Sequence, residues 1–253
     1  MKAASCDTFF QAGPFRLAAT VIGGAGAQPS LLTLAGLAAP ARRATVHYLM
    51  EDLAQRGIVS MSFDFSGNGD SEGVFEDGSL RRRERETLAA AGLLAPHRPP
   101  VLLGTSMGSY LAACVAPVLK PRALVLFCPS AYPDYVLDVK FDGNLARSGV
   151  YPKSPAFAAI AGFTGDLLII GGSHDHVVPR EVLLHYMDSA RQTRSKELVW
   201  LDCDHFIHRW LPQQSVWRED IVARIAAISG LCDAGRRLDH AGMAEPAAAA
   251  TAS

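Results

Sequence analysis

A chain of 253 residues, 49% of them apolar and with a formal net charge of −1, holds enough material for one α/β domain with a sizeable core and too little for two large domains. So small a net charge gives no electrostatic reason to expect nucleic acid or an anionic membrane as a partner. The apolar runs are short and broken by Gly, Pro or charge, which predicts no transmembrane span, and Met1 to Phe10 has one Lys and no long apolar core of the kind a secretory signal needs. The five cysteines (Cys6, Cys114, Cys128, Cys203 and Cys232) have no C-x-x-C spacing, so free thiols in a reducing, cytoplasmic setting are the simplest expectation.

In chain order, Phe15 to Ile22 reads as a first strand after the turn pair Gly13-Pro14, followed by a Gly-rich loop over Gly23 to Pro29. Leu31 to Ala35 is a second strand, running into the small-residue loop Ala35-Gly36-Leu37-Ala38-Ala39-Pro40. Ala41 to Arg56 has apolar residues at helical spacing (Val46, Leu49, Met50, Leu53) and stops at Gly57. Ile58 to Phe63 is a strand, and Asp64 to Gly73 a long loop. Leu80 to Leu94 reads as a helix whose cluster Arg81, Arg82, Arg83 and Arg85, interleaved with Glu84 and Glu86, is expected to be a solvated face.

Val101 to Leu103 then forms a short apolar strand leading into Gly104-Thr105-Ser106-Met107-Gly108, with an Ala- and Leu-rich helix over Tyr110 to Leu119 behind it. This is a G-x-S-x-G in the strand–turn–helix setting that gives the pattern its meaning. A serine at the tip of such a corner projects its hydroxyl above the sheet, and the tight corner leaves no room for side chains at the flanking positions. The following helix aims its amino terminus, with its free N–H groups, at the same spot. Ser106 is therefore the candidate nucleophile.

Ala123 to Phe127 is the next strand. Pro129 to Gly165 interrupts the rhythm with prolines, glycines and aromatics and no clear strand. Leu167 to Ile170 (strand), Arg180 to Ala190 (helix), Glu197 to Leu201 (strand) and Val216 to Ile228 (helix) complete the pattern, and residues 231–253 form an Ala-rich stretch expected to be disordered. Strands alternating with helices at this spacing predict a mostly parallel central sheet flanked by helices on both faces.

A serine needs a general base beside it, and the base needs an acid to hold its tautomer. In this architecture both should follow the nucleophile at the carboxyl ends of later strands, acid first. Asp175 follows the strand ending at Ile170, and His205 the strand ending at Leu201. His208 is expected on the loop surface. Asp202 and Asp204 lie too near the base in sequence to serve its far nitrogen, and are expected to shape the loop. His174 and His176, at i, i+2 with no third ligand nearby, make a poor metal site, so no metal is expected.

Four pieces together resemble the α/β-hydrolases, in the esterase, monoacylglycerol-lipase and serine-aminopeptidase-like branch. They are the elbow Gly104 to Gly108; Asp64-Phe65-Ser66-Gly67-Asn68-Gly69-Asp70-Ser71, similar to D-x-R-G-x-G-x-S; Gly172 to Pro179, similar to G-x-x-D-x-x-V-P; and Asp204-His205-Phe206. The chain departs from that pattern in having Ser66 in place of an arginine, and Ala35-Gly36-Leu37 where the branch usually has His-Gly-x. The resemblance implies an oxyanion hole made by the backbone N–H groups of Met107 and Leu37, and acyl transfer through Ser106 with no cofactor. It also implies a hydrolase domain over 1–230, with 129–165 as a short lid over a small-molecule acyl substrate, and Tyr132 and Tyr135 are the candidate substrate contacts there. A carboxylesterase is the leading expectation. Thioesterase, peptidase or acyltransferase activity shares every residue named, and a catalytically silent binding protein is the alternative from another class.

Overall fold

Four of the strands expected from the sequence are buried along their whole length, Thr33, Ser60 and Ser62 included, as happens where helices cover both faces of a parallel sheet. The computed structural model describes residues 3–24, 26–142 and 151–230; the Ala-rich stretch 231–253 and part of the 129–165 insertion lie outside the described residues. Eight strands form one sheet: β1 (Ala4–Ala12), β2 (Phe15–Gly23), β3 (Leu31–Leu34), β4 (Ser60–Phe63), β5 (Val101–Thr105), β6 (Ala123–Phe127), β7 (Asp166–Gly172) and β8 (Ser195–Leu201). Their spatial order is β1-β2-β4-β3-β5-β6-β7-β8. The pairs β1/β2 and β2/β4 are antiparallel and every other pair is parallel.

The helices are α1 (His47–Gln55), α2 (Leu80–Ala91), α3 (Met107–Leu119), α4 (Pro155–Ala161), α5 (Arg180–Ser189), the short α6 (Ile207–Trp210) and α7 (Ser215–Ser229). Each face of the sheet has its own core. On one, Tyr110, Leu111 and Val115 of α3 pack with Phe157 and Ile160 of α4 and Val182 and Tyr186 of α5. On the other, Leu49 and Leu53 of α1 meet Ile221, Val222 and Ile225 of α7 across Val125, Phe127 and Ile170.

Three findings correct the sequence reading. Strand β1 was absent from it, because seven of its nine positions are exposed and an edge strand with so little buried surface lacks the apolar alternation that betrays a strand. The helix expected from Ala41 begins as a 3₁₀ turn at Arg43–Val46, where the Arg43 N–H donates to Asp64 Oδ1 (2.6 Å), and becomes α-helical only at His47. The basic cluster of α2 is not uniformly solvated: Arg83 is fully buried and paired with Glu86 (2.9 Å). Within the insertion the described residues contain 3₁₀ turns at Asp134–Val136 and Tyr151–Lys153, then α4, and no strand.

Candidate active site

The carboxyl ends of β5, β6, β7 and β8 converge on Ser106. Its backbone (φ 53°, ψ −111°) lies in a region that costs a non-glycine residue free energy, and its N–H is tied to Phe127 O on the neighbouring strand (2.8 Å). The two flanking glycines are required by close approach. A Cβ on Gly104 would lie 2.4 Å from the Gly108 backbone, and one on Gly108 would lie 2.1 Å from Leu34 O. Helix α3 begins at Met107, whose N–H is among those without an acceptor inside the helix.

The Ser106 hydroxyl is 3.2 Å from His205 Nε2, and His205 Nδ1–H donates to Asp175 Oδ2 at 2.7 Å. A carboxylate only accepts, so Nδ1 carries the proton and Nε2 is left as the acceptor facing the serine. Asp175 is locked in turn by the N–H groups of Val177 and Val178, both 2.8 Å from Oδ1. Burial pushes the Asp175 carboxyl up, but the hydrogen bonds from His205 and Val178 outweigh it and hold the group below the usual carboxylate range. Ser106, Asp175 and His205, from three separate strand ends, thus form one continuous hydrogen-bonded chain.

A second hydroxyl, which the sequence did not flag, sits beside the first. Ser130 Oγ is 3.0 Å from Ser106 Oγ, and the Ser130 N–H donates to Ser106 O (3.2 Å). Its position is fixed by Tyr186, whose hydroxyl donates to Ser130 O (2.8 Å). No spacing rule could have found it, because it depends on the chain reversing after Cys128, a buried residue with φ 38°.

Leu37 lies on the loop after β3 and lines the same cavity as Ser106, and its N–H makes no hydrogen bond among the described residues. The loop lacks the histidine that the resemblance implied as a brace. Asn68 takes that place, with its amide donating to both Ala38 O and Ala39 O at 2.9 Å. The arginine missing at position 66 also has a replacement in space: Arg83 reaches across from α2 to donate to Ser66 Oγ (2.9 Å).

His208 is the clearest departure from expectation. It is not a surface loop residue but is buried behind the elbow, with Nε2 at 2.8 Å from Thr105 Oγ1, Nδ1 at 3.0 Å from the Tyr48 hydroxyl and its ring packed against Phe127. Burial lowers its pKa to about 4. Asp204 accepts from the Phe206 N–H (2.8 Å), and Asp202 pairs with exposed His174 (2.8 Å), so both shape the loop.

The cavity above Ser106 has a volume of about 920 Å³, within the roughly 300–1,000 Å³ usual for small-molecule sites. Its apolar wall includes Leu37, Phe75, Tyr132, Phe141, Val178 and Val182. Tyr132 therefore lies where a substrate contact was expected. Tyr135 does not: it is 66% exposed and outside the cavity lining, because its 3₁₀ turn buries Val136 instead.

Cys128, Asp175 and His205 place one possible ligand atom each within 4.8 Å of one another. The donor set does not fit a metal. Both carboxylate oxygens are already engaged, and burial raises the Cys128 thiol well above its ordinary pKa, away from the thiolate a metal requires.

Neither a protein-family model nor a curated protein sequence matches the chain. Solved structures do. The thioesterase domain from the curacin biosynthetic pathway superposes with a TM-score of 0.66 at 16% identity, over 89% of this chain and 99% of that one. Est1E from Butyrivibrio proteoclasticus, solved with ferulic acid bound, gives 0.66 at 18% identity over 87% and 99%. A putative hydrolase from Agrobacterium vitis S4 gives 0.60 at 23% identity over 88% and 99%. The chain has the α/β-hydrolase fold. Within that fold the loops at the carboxyl ends of the strands line the ligand crevice, and this is where Ser106, Asp175 and His205 meet.

Proposed function

We propose that this protein is a serine hydrolase, a carboxylesterase acting on small to medium acyl esters through Ser106, His205 and Asp175. The observation that carries the reading is the unbroken chain from Ser106 Oγ to His205 Nε2 (3.2 Å) and from His205 Nδ1 to Asp175 Oδ2 (2.7 Å), opening on an apolar cavity. His205 takes the Ser106 proton as Oγ attacks the ester carbonyl, and Asp175 stabilises the imidazolium that results. The N–H groups of Met107 and Leu37 are the proposed donors to the tetrahedral oxyanion. Collapse expels the alcohol, which leaves with the proton held on His205. Water, deprotonated by the same imidazole, then attacks the acyl-enzyme, and the second collapse returns the proton to Ser106.

A thioesterase domain and a ferulate-bound enzyme of the same fold support acyl chemistry in this architecture. Residues 129–165, which bring Ser130, Tyr132 and Phe141 to the cavity, act in this reading as the short lid. All four described cysteines are free thiols, which supports the cytoplasmic placement. Among the described residues no helix is long and apolar enough to cross a membrane.

The test is labelling by a fluorophosphonate probe, which reports an activated serine. Wild type should label, and Ser106→Ala and His205→Ala should not. Folded wild-type protein that fails to label would refute the reading.

A further inference from the structure

The cavity above Ser106 carries charge of one sign. Among the described residues that line it are Arg42, Arg43 and Arg209, and none is an Asp or Glu. The three guanidinium groups differ in what they face. Arg43 is committed to the fold: it pairs with buried Asp64 and with Asp70 (2.8 Å), and it donates to Thr20 Oγ1 (2.9 Å). Arg42 and Arg209 have no carboxylate partner among the described residues. Arg42 donates to the carbonyl oxygens of Ala39 and Ala41 (3.4 and 3.2 Å), at the end of the loop that carries Leu37. Arg209, on α6 just past His205, lies over the exposed Phe206 ring with its guanidinium carbon 4.4 Å from the centroid.

Arginines without an acid are not confined to the cavity mouth, since exposed Arg98 and Arg191 also lack a carboxylate partner among the described residues, so what distinguishes Arg42 and Arg209 is that they line the cavity. At the cavity mouth two stand without an acid among the described residues, one at the end of the loop that carries Leu37 and one on α6 just past His205. A cleft lined by one sign of charge concentrates the opposite charge within it, and a planar guanidinium fork matches a carboxylate in particular. The inner wall, by contrast, is apolar.

We infer that the substrate carries a carboxylate remote from its scissile ester, held at the cavity mouth by Arg42 and Arg209 while the apolar segment between lies along the wall. This rests on the hydrolase reading above and adds the substrate class.

The experiment compares matched esters. Para-nitrophenyl hydrogen suberate against para-nitrophenyl octanoate puts the carboxylate on the acyl side; para-butanoyloxybenzoate against phenyl butanoate puts it on the alcohol side. In at least one pair, wild-type kcat/KM should favour the anionic ester by about tenfold. That ratio should fall towards one in Arg42→Gln/Arg209→Gln and as salt concentration is raised. Ratios of one or below in both pairs would overturn the inference while leaving the hydrolase intact. Absence of turnover on all four esters would refute the hydrolase reading instead. Calorimetric binding of the two suberate-series esters to Ser106→Ala would then decide the inference independently: tighter binding of the anionic ester, lost in the double arginine background, supports it, and equal or weaker binding overturns it.

Discussion

The conformation of Ser106 has a measurable consequence. A non-glycine residue at φ 53°, ψ −111° stores about 1–3 kcal/mol, which glycine would release, less the roughly 0.5–1 kcal/mol that its extra unfolded-state freedom costs. Ser106→Gly should therefore raise the thermal midpoint by a few degrees, with Ser106→Ala, which keeps the strain, as the control. A Ser106→Gly variant no more stable than Ser106→Ala would mean that the corner is not strained. His208 makes a second prediction at this scale. Its pKa falls from the ordinary 6.5 to about 4 in the folded chain, so between those values the unfolded state binds a proton that the folded state does not. Its contribution to stability is thus complete above 6.5 and is lost as pH falls towards 4, by roughly 3 kcal/mol. Urea midpoints across that window should fall steeply for wild type and less so for His208→Gln. Parallel pH profiles would contradict a buried, neutral imidazole.

At the scale of elements, the loop after β4 braces the loop that carries Leu37 against β2 and α2. Asp64 secures Arg43, Asn68 secures the carbonyls next to Leu37, and Ser71 Oγ donates to Asp64 O (2.6 Å) while accepting from Ala18 N–H (2.9 Å). The loop is joined to α2 by Arg83 and Glu86, whose Oε2 also accepts from the Ser66 N–H (3.2 Å). The pair is fully buried, and the Arg83 guanidinium lies about equally far from the rings of Phe65 (5.1 Å) and Phe141 (5.4 Å). Removing one partner leaves an uncompensated buried charge. Arg83→Ala or Glu86→Ala should each cost about 3–5 kcal/mol, and Arg83→Met/Glu86→Leu, which removes both charges and keeps the volume, should cost less than either. Denaturant unfolding of the three variants checks this, and a double variant as unstable as the sum of the singles would exclude it.

For the whole molecule, stability should be graded across the sheet. The β5, β6 and β7 strands lie inside it with helices on both faces, whereas β1 is an edge strand held by β2 alone. Local opening needs less free energy where few apolar contacts are lost. Amide exchange should be slowest in peptides covering 101–105, 123–127 and 166–172 and fastest, among the strands, in 4–12. Uniform protection across all eight strands would argue against the hairpin being a separable edge.

The sequence alone was enough to predict the parallel core and to nominate Ser106, Asp175 and His205. Strands covered on both faces are mostly apolar, a strand-to-helix corner this tight demands glycines on both sides, and nucleophile, acid and base follow the chain in the order their strand ends require. These are local constraints, so local patterns carry them. What only the tertiary structure decided depends on contacts between segments far apart in the chain. Ser130 meets Ser106 across 24 residues, Arg83 reaches Ser66 across 17, and His208 supports Thr105 across 103. Each of these residues has an unremarkable sequence environment, and an arginine flanked by acids or a histidine in a loop reads as solvated. Burial reverses that reading, because a polar group taken out of water must find a partner, and only the folded chain determines which one.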